Sequence, residues 1–138
     1  MEPPPELTDL MNAPGVMLGS VVAVELELFF TGNQDPGSIA PNLIDHPGTQ
    51  QIYEVLHQLR SRPDVSAVMV LVLNENEPYA DVWPYAQSVV VVTSAPLSEI
   101  DDATAIVDTD PAFEVADLDV INPPTVPAGQ RYVIVWWD

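Results

Sequence analysis

The sequence predicts an α+β fold, a β-α-β-β-α-β ferredoxin-like sandwich with an antiparallel sheet and two helices on one face. Three observations lead there. The segment after residue 19 alternates apolar and mixed side chains with a period of two. Two later segments carry apolar residues at helical spacing. Three further β-branched runs are divided by turn-forming residues, giving the order strand, helix, strand, strand, helix, strand.

Residues 1–19 form a Pro-rich N-terminal segment, and 20–138 a single acidic α+β domain. The triple proline Pro3-Pro4-Pro5 favours extended polyproline backbone, with Leu7, Leu10, Met11 and Met17 available to pack back on the domain. From Ser20 to Thr31 the alternation of Val22, Val24, Leu26, Leu28 and Phe30 with their neighbours predicts a strand. In Thr49–Ser61, Ile52, Val55, Leu56 and Leu59 make one apolar helical stripe. Thr49 is placed to cap it, Arg60 and Arg62 suit its C-terminal dipole, and Pro63 stops it. Val65–Leu73 is apolar on both faces, as a covered central strand would be. A polar connection over Asn74–Tyr85 leads to a strand at Ser88–Thr93. Pro96–Val107 reads as the second helix, with Ser98 and Asp101 resembling a capping pair. Asp108–Gln130 is an irregular excursion with room for a short strand or helical turn, and Arg131–Trp137 is the last strand. In this arrangement one sheet face stays open.

Composition narrows function. The 138 residues are 47% hydrophobic, enough for a real core rather than a disordered acidic tail. Asp and Glu number 21 against three arginines and no lysine, a net charge of −18. Direct binding to nucleic acid or to an anionic membrane needs the opposite charge. The absence of cysteine excludes disulfides, thiolate catalysis and Cys-based metal sites. Two histidines exclude a three-His metal site. The N-terminus has no basic region of a secretory signal, and no apolar run approaches about 20 residues. A cytoplasmic location is therefore expected.

Gly32–Gly48, GNQDPGSIAPNLIDHPG, is a long loop dense in turn formers. Together with DVWPYAQSVVVVTSAP and the terminal PAGQRYVIVWWD, it resembles segments of a group of small uncharacterised bacterial proteins. Those carry GNxDxGSIxxNLxxHPG-like, WPxxxxVxxxTSA-like and WWD-like stretches in the same order. The resemblance implies a shared fold and draws attention to the loop. It implies no reaction, ligand or catalytic residue.

Within the loop, Asn33, Asp35, Ser38, Asn42, Asp45 and His46 supply acceptors, a hydroxyl and an imidazole. They admit a His-assisted chemistry with Ser38 as nucleophile, or simply a loop closed on its own hydrogen bonds. The latter is the commoner use of such residues. The carboxylate clusters around Glu75 and Asp108 lack the spacing and turn glycine of a calcium loop, so neither a metal nor another cofactor is expected.

The acidic field is the strongest functional signal. Between Pro63 and Gln130 lie twelve carboxylates and no Lys or Arg. Such a block steers basic partners, although it also serves solubility. Glu75, Glu77, Asp81, Asp101, Asp102, Asp108 and Asp110, with Trp83 and Tyr85 as aromatic anchors, are the candidate partner-binding residues. Trp136 and Trp137, adjacent on a strand, should face opposite ways. The leading expectation is a non-enzymatic module that docks on a basic protein such as a toxin or nuclease, in the manner of an inhibitor or immunity protein. The alternatives are a small enzyme or ligand-binding domain using the Gly32–Gly48 loop, and an assembly component that would form homo-oligomers.

Overall fold

A computed structural model describes residues 2–75 and 83–138. Glu77 and Asp81 lie outside the described residues. The fold is α+β, with one antiparallel five-stranded sheet packed by helices. The strands are β1 (Val21–Glu25), β2 (Val65–Leu73), β3 (Tyr85–Thr93), β4 (Phe113–Val115) and β5 (Arg131–Val135). The helices are α1 (Pro5–Met11), α2 (Leu26–Phe30), α3 (Thr49–Arg60) and α4 (Leu97–Thr104), the last continued by a 3-10 turn at Ala105–Val107. The sheet order is β1-β2-β3-β5-β4. The molecule thus shares the layering of the ferredoxin-like sandwich, with β1, β2 and β3 in sequential order and β5 inserted between β3 and β4.

Register explains the layering. Val22, Val72, Val70, Val89 and Val135 are linked by cross-strand pairs and enter one core with Leu7, Phe29, Phe30, Ile52, Leu56 and Ile100 from the helices. Ala23, Leu71, Val90 and Ile134 form a smaller cluster on the other face. β2 and β3 are buried on both faces, as their unbroken apolar runs anticipate.

The segment Ser20–Thr31 is not one strand. β1 ends at Glu25, and Leu26–Phe30 turn into α2. Phe29 and Phe30 are both fully buried. Neighbours on a strand point to opposite faces, so a strand would have placed one of them away from the helical core. A helical turn puts Leu26, Phe29 and Phe30 on one side at i, i+3 and i+4. Phe30 also stacks on Tyr53 of α3, with ring centroids 5.2 Å apart.

The N-terminal segment also departs from the extended form expected. Pro5 opens α1 at a first-turn position, where its missing N–H costs nothing. Leu7 and Met11, one turn apart, are fully buried, whereas Met17 is exposed. Neither expected helix cap forms. Gly48, at a φ of 100°, precedes α3, and the Thr49 hydroxyl donates instead to the Asp35 carbonyl at 2.9 Å. Asp101 accepts the Ala112 amide at 2.8 Å rather than capping α4.

The second sheet face is not open. After β4, the chain crosses it as a strap. Val115, Leu118 and Val120 pack on Ala23, Leu71, Val90 and Ile134. Ile121 then pairs along the free edge of β1, giving its N–H to Val21 O at 2.8 Å and accepting from Ala23 N at 2.9 Å. The six steps from Val115 to Ile121 reach at most about 22 Å, whereas a flat sheet of these strands would need about 24 Å. The sheet therefore curls toward the strap.

Each of the three arginines in the sequence is used as a clasp between elements. Arg60 of α3 holds Glu27 of α2 through two hydrogen bonds, 2.8 and 2.6 Å long. Arg62 bridges Asp64 and Glu99, tying the end of α3 to α4. Arg131 of β5 pairs with Glu114 of β4 at 3.2 Å. The Arg60 hydrogen bond is the main reason that the Glu27 carboxyl falls from its ordinary 4.5 to about 2.

A carboxylate lowered by folding adds stability above its unfolded pKa, and that stability is lost as pH falls through the folded one. Half-exposed side chains screen the pair, so its contribution is about 1 kcal/mol or less. Glu27→Gln should therefore be less stable than the parent by about that amount at pH 7, and the difference should shrink between pH 4.5 and 2. Urea midpoints of both proteins across this range check it; a difference independent of pH would contradict the assignment.

Candidate functional site

The Gly32–Gly48 loop is a hydrogen-bonded plug. Asn33 and Ser38 are almost fully buried. Asn33 donates from Nδ2 to the Phe29 carbonyl at 3.2 Å and to Ser38 Oγ at 3.0 Å. Its Oδ1 accepts the Asp35 amide at 3.0 Å. The Ser38 hydroxyl spends its proton on the Asp35 carbonyl at 2.7 Å. Asp35 Oδ1 accepts the Gly37 amide at 2.9 Å, an Asx turn. From α3, Gln50 reaches back to the carbonyls of Phe30 and Asn33.

His46 belongs to the same network. Nδ1 accepts the Gly48 amide at 3.0 Å, which leaves Nε2 to carry the proton and donate to the Ile39 carbonyl at 2.9 Å. Neither nitrogen is directed at Ser38. Asn42 and Asp45 sit exposed on the outer part of the loop. The loop also adds a rung to the sheet: Ile39 bridges Ala86, and Ser38 O accepts the Ala86 amide at 2.6 Å. It occupies the side of β3 that β5 leaves free beyond Val89.

Trp83 locks this plug from the far side. It is buried, and its indole N–H donates to the Phe29 carbonyl at 2.9 Å, the same oxygen that Asn33 uses. A ring so enclosed has no face to offer a partner, so Trp83 is a core residue rather than a surface anchor. Tyr85 is half-buried at the start of β3, and Glu75 is exposed after β2.

The remaining acidic candidates converge at the end of α4. Asp101, Asp102 and Asp108 line an open cleft of about 430 Å³ with Ala105, Thr109 and Pro111. Asp108 ends the 3-10 turn in a left-handed conformation at a φ of 58°. Asp110 lies beside them, accepting the Asp138 amide at 2.6 Å and donating its own amide to the Trp136 carbonyl at 3.0 Å. No group of three or more His, Asp or Glu among the described residues is arranged to hold a metal ion. No helix among them is long and apolar enough to cross a membrane.

One surface escaped the sequence reading. Gln87, Ser88, Phe113, Ile134 and Trp136 line a mainly apolar groove of about 390 Å³ on the strap side of the sheet. Trp136 and Trp137 do face opposite ways: Trp136 packs with the strap-side cluster and Trp137 with the helix-side core. That alternation was the available signal. Phe113 carried none, because its strand is three residues long and lies inside an irregular stretch.

The loop geometry has a direct consequence for substitution. His46→Ala should lower stability by about 1–2 kcal/mol, because it strands the Ile39 carbonyl and the Gly48 amide. Asn33→Ala, which removes a fully buried hub, should cost at least about 2 kcal/mol. Urea unfolding measures both, and an unchanged His46→Ala midpoint would show that the imidazole is not structural.

No solved structure matches the chain. It is 30% identical over 143 residues to the protein of Escherichia coli (strain K12) described as "Uncharacterized protein YfbO", an alignment covering 100% of both chains. The pattern of the family described as "Uncharacterized protein YfbO family" matches residues 6–135. This agrees with the likeness to a group of uncharacterised bacterial proteins, and the chain belongs to the YfbO family.

Proposed function

We propose that the chain is a non-enzymatic acidic module that binds a basic protein partner, with an inhibitor or immunity-type role as its sharpest form. The observation that carries this reading is the state of its arginines. All three are consumed in ion pairs with Glu27, Asp64, Glu99 and Glu114. The chain's net charge of −18 is thus displayed with its cations already committed. A field of that kind accelerates encounter with a basic surface and repels acidic ones. The cleft of Asp101, Asp102 and Asp108 concentrates it beside α4. The cytoplasmic location expected from sequence belongs to the same reading, as does the absence of direct nucleic-acid or membrane binding.

Asn33, Asp35, Ser38 and His46 of the Gly32–Gly48 loop favour this reading over a loop-centred chemistry, because their side chains already have partners within the chain.

Affinity capture from the native host should yield one basic protein that rebinds stoichiometrically when both are purified. The complex should dissociate near 1 M salt, where the Debye length falls to about 3 Å. Reversing Asp101, Asp102 and Asp108 to lysine should slow association about tenfold or more with little change in dissociation. Recovery of its own chain alone, or of no basic protein at low salt, would overturn the proposal.

A further inference from the structure

The strap leaves one corner of the second sheet face uncovered, and that corner has the chemistry of a cation receptor. Phe113, on the edge strand β4, is 44% exposed. Its ring lies 6.4 Å from that of Trp136 at an interplanar angle of 75°. Rings meeting so steeply set the edge of one toward the face of the other, an edge-to-face aromatic wall for the groove. The Trp136 ring is fixed by its N–H, which donates to the Pro111 carbonyl at 3.0 Å.

The floor is shaped by a β-bulge. Leu71 pairs with Ser88 and Val72 with Ala86, so Gln87 is the extra residue. Ala86 thereby joins the helix-side core, while Gln87 and Ser88 both line the groove. An amide and a hydroxyl are thus set beside two aromatic rings. The end of β5 behind Trp136 is held by Asp110, bonded through its amide to Trp136 O and through Oδ2 to the Asp138 amide. The nearest cation in sequence to Phe113's strand pairing, Arg131, is held by Glu114.

We infer that the Phe113–Trp136 groove receives an arginine side chain of the basic partner. The inference rests on the docking reading above and deepens it. A guanidinium fits on three counts. It is planar, so it can lie against an aromatic face, where cation–π attraction acts within about 6 Å of a ring centroid. It has five N–H donors for the Gln87 carbonyl and the Ser88 hydroxyl. Its charge complements a chain of −18. A purely aliphatic side chain would use the walls and leave the polar floor unsatisfied.

The test uses the full chain labelled with nitrogen-15 and an acetylated, amidated nine-residue peptide of alternating arginine and glycine. The three tryptophan indole signals report separately, with buried Trp83 as the internal control for folding. The peptide should shift the Trp136 indole and Gln87 side-chain amide saturably and leave Trp83 in place. Phe113→Tyr should retain binding at this site. Phe113→Leu, which keeps bulk and removes the π face, should weaken it about fivefold or more, with the Trp83 signal unchanged. Binding that shifts signals around Asp101, Asp102 and Asp108 but not Trp136 would overturn this inference and leave the docking reading standing. Equal affinity of Phe113→Leu would overturn the cation–π account. No binding anywhere at low salt would overturn both.

Discussion

The Phe29 carbonyl is the point on which the helical side of the molecule closes. It lies in the last turn of α2 and accepts from Trp83 at 2.9 Å and from Asn33 at 3.2 Å. Carbonyls in a last helical turn lack intrahelical partners, so a buried one must find others. Here one donor is local, four residues on, and the other comes from 54 residues further along the chain. Asn33 extends the contact to Ser38, Asp35 and, through Asp35, to Thr49 of α3. Ser38 and Ile39 extend it to β3. One oxygen thereby couples α2, the long loop, the approach to β3 and the start of α3. The short helix α2 would be marginal alone, since five residues cannot sustain themselves in water. Its stability comes from Phe29 and Phe30 in the core and from this polar closure.

Charge sets the second constraint. A chain of −18 repels itself when compact, and three arginines cannot neutralise that. Their positions give them mechanical use instead. Each joins two parts of the fold: α3 to α2, α3 to the β2 entry and α4, and β5 to β4. Among the described residues, most carboxylates beyond these pairs are exposed and form an outward field. The strap completes the design by covering much of the second sheet face with Val115, Leu118 and Val120, leaving the Phe113–Trp136 corner.

Much of the fold was legible in the residues. Thr49–Arg60 shows a clean stripe, and Val65–Leu73 is β-branched and apolar throughout, so both elements match their expected bounds closely. Val21–Phe30 misled because five-residue windows satisfy both periods: Leu26, Leu28 and Phe30 alternate, yet Leu26, Phe29 and Phe30 also fit a helix turn. Only long-range partners, Trp83 and Tyr53, decide between them. The strap was illegible because its bonds to Val21 and Ala23 join residues about a hundred positions apart. For the candidate site, the loop's self-bonding was readable from its Asx-type composition, and the Asp101–Asp108 cluster from charge. The aromatic groove depended on a bulge at Gln87, which no local pattern announces.

The central claim is that the Gly32–Gly48 loop is part of the structural core, so that recognition falls to the acidic and aromatic surfaces. Native-state hydrogen exchange tests it most directly, read at the Trp83 indole and at the amides of Asp35, Gly48 and Ala86. The account predicts that these protons exchange only through global unfolding, with an opening free energy equal to that from urea denaturation. Exchange at rates typical of a surface loop, while β2 and β3 stay protected, would contradict it and return the loop to the centre of the functional question.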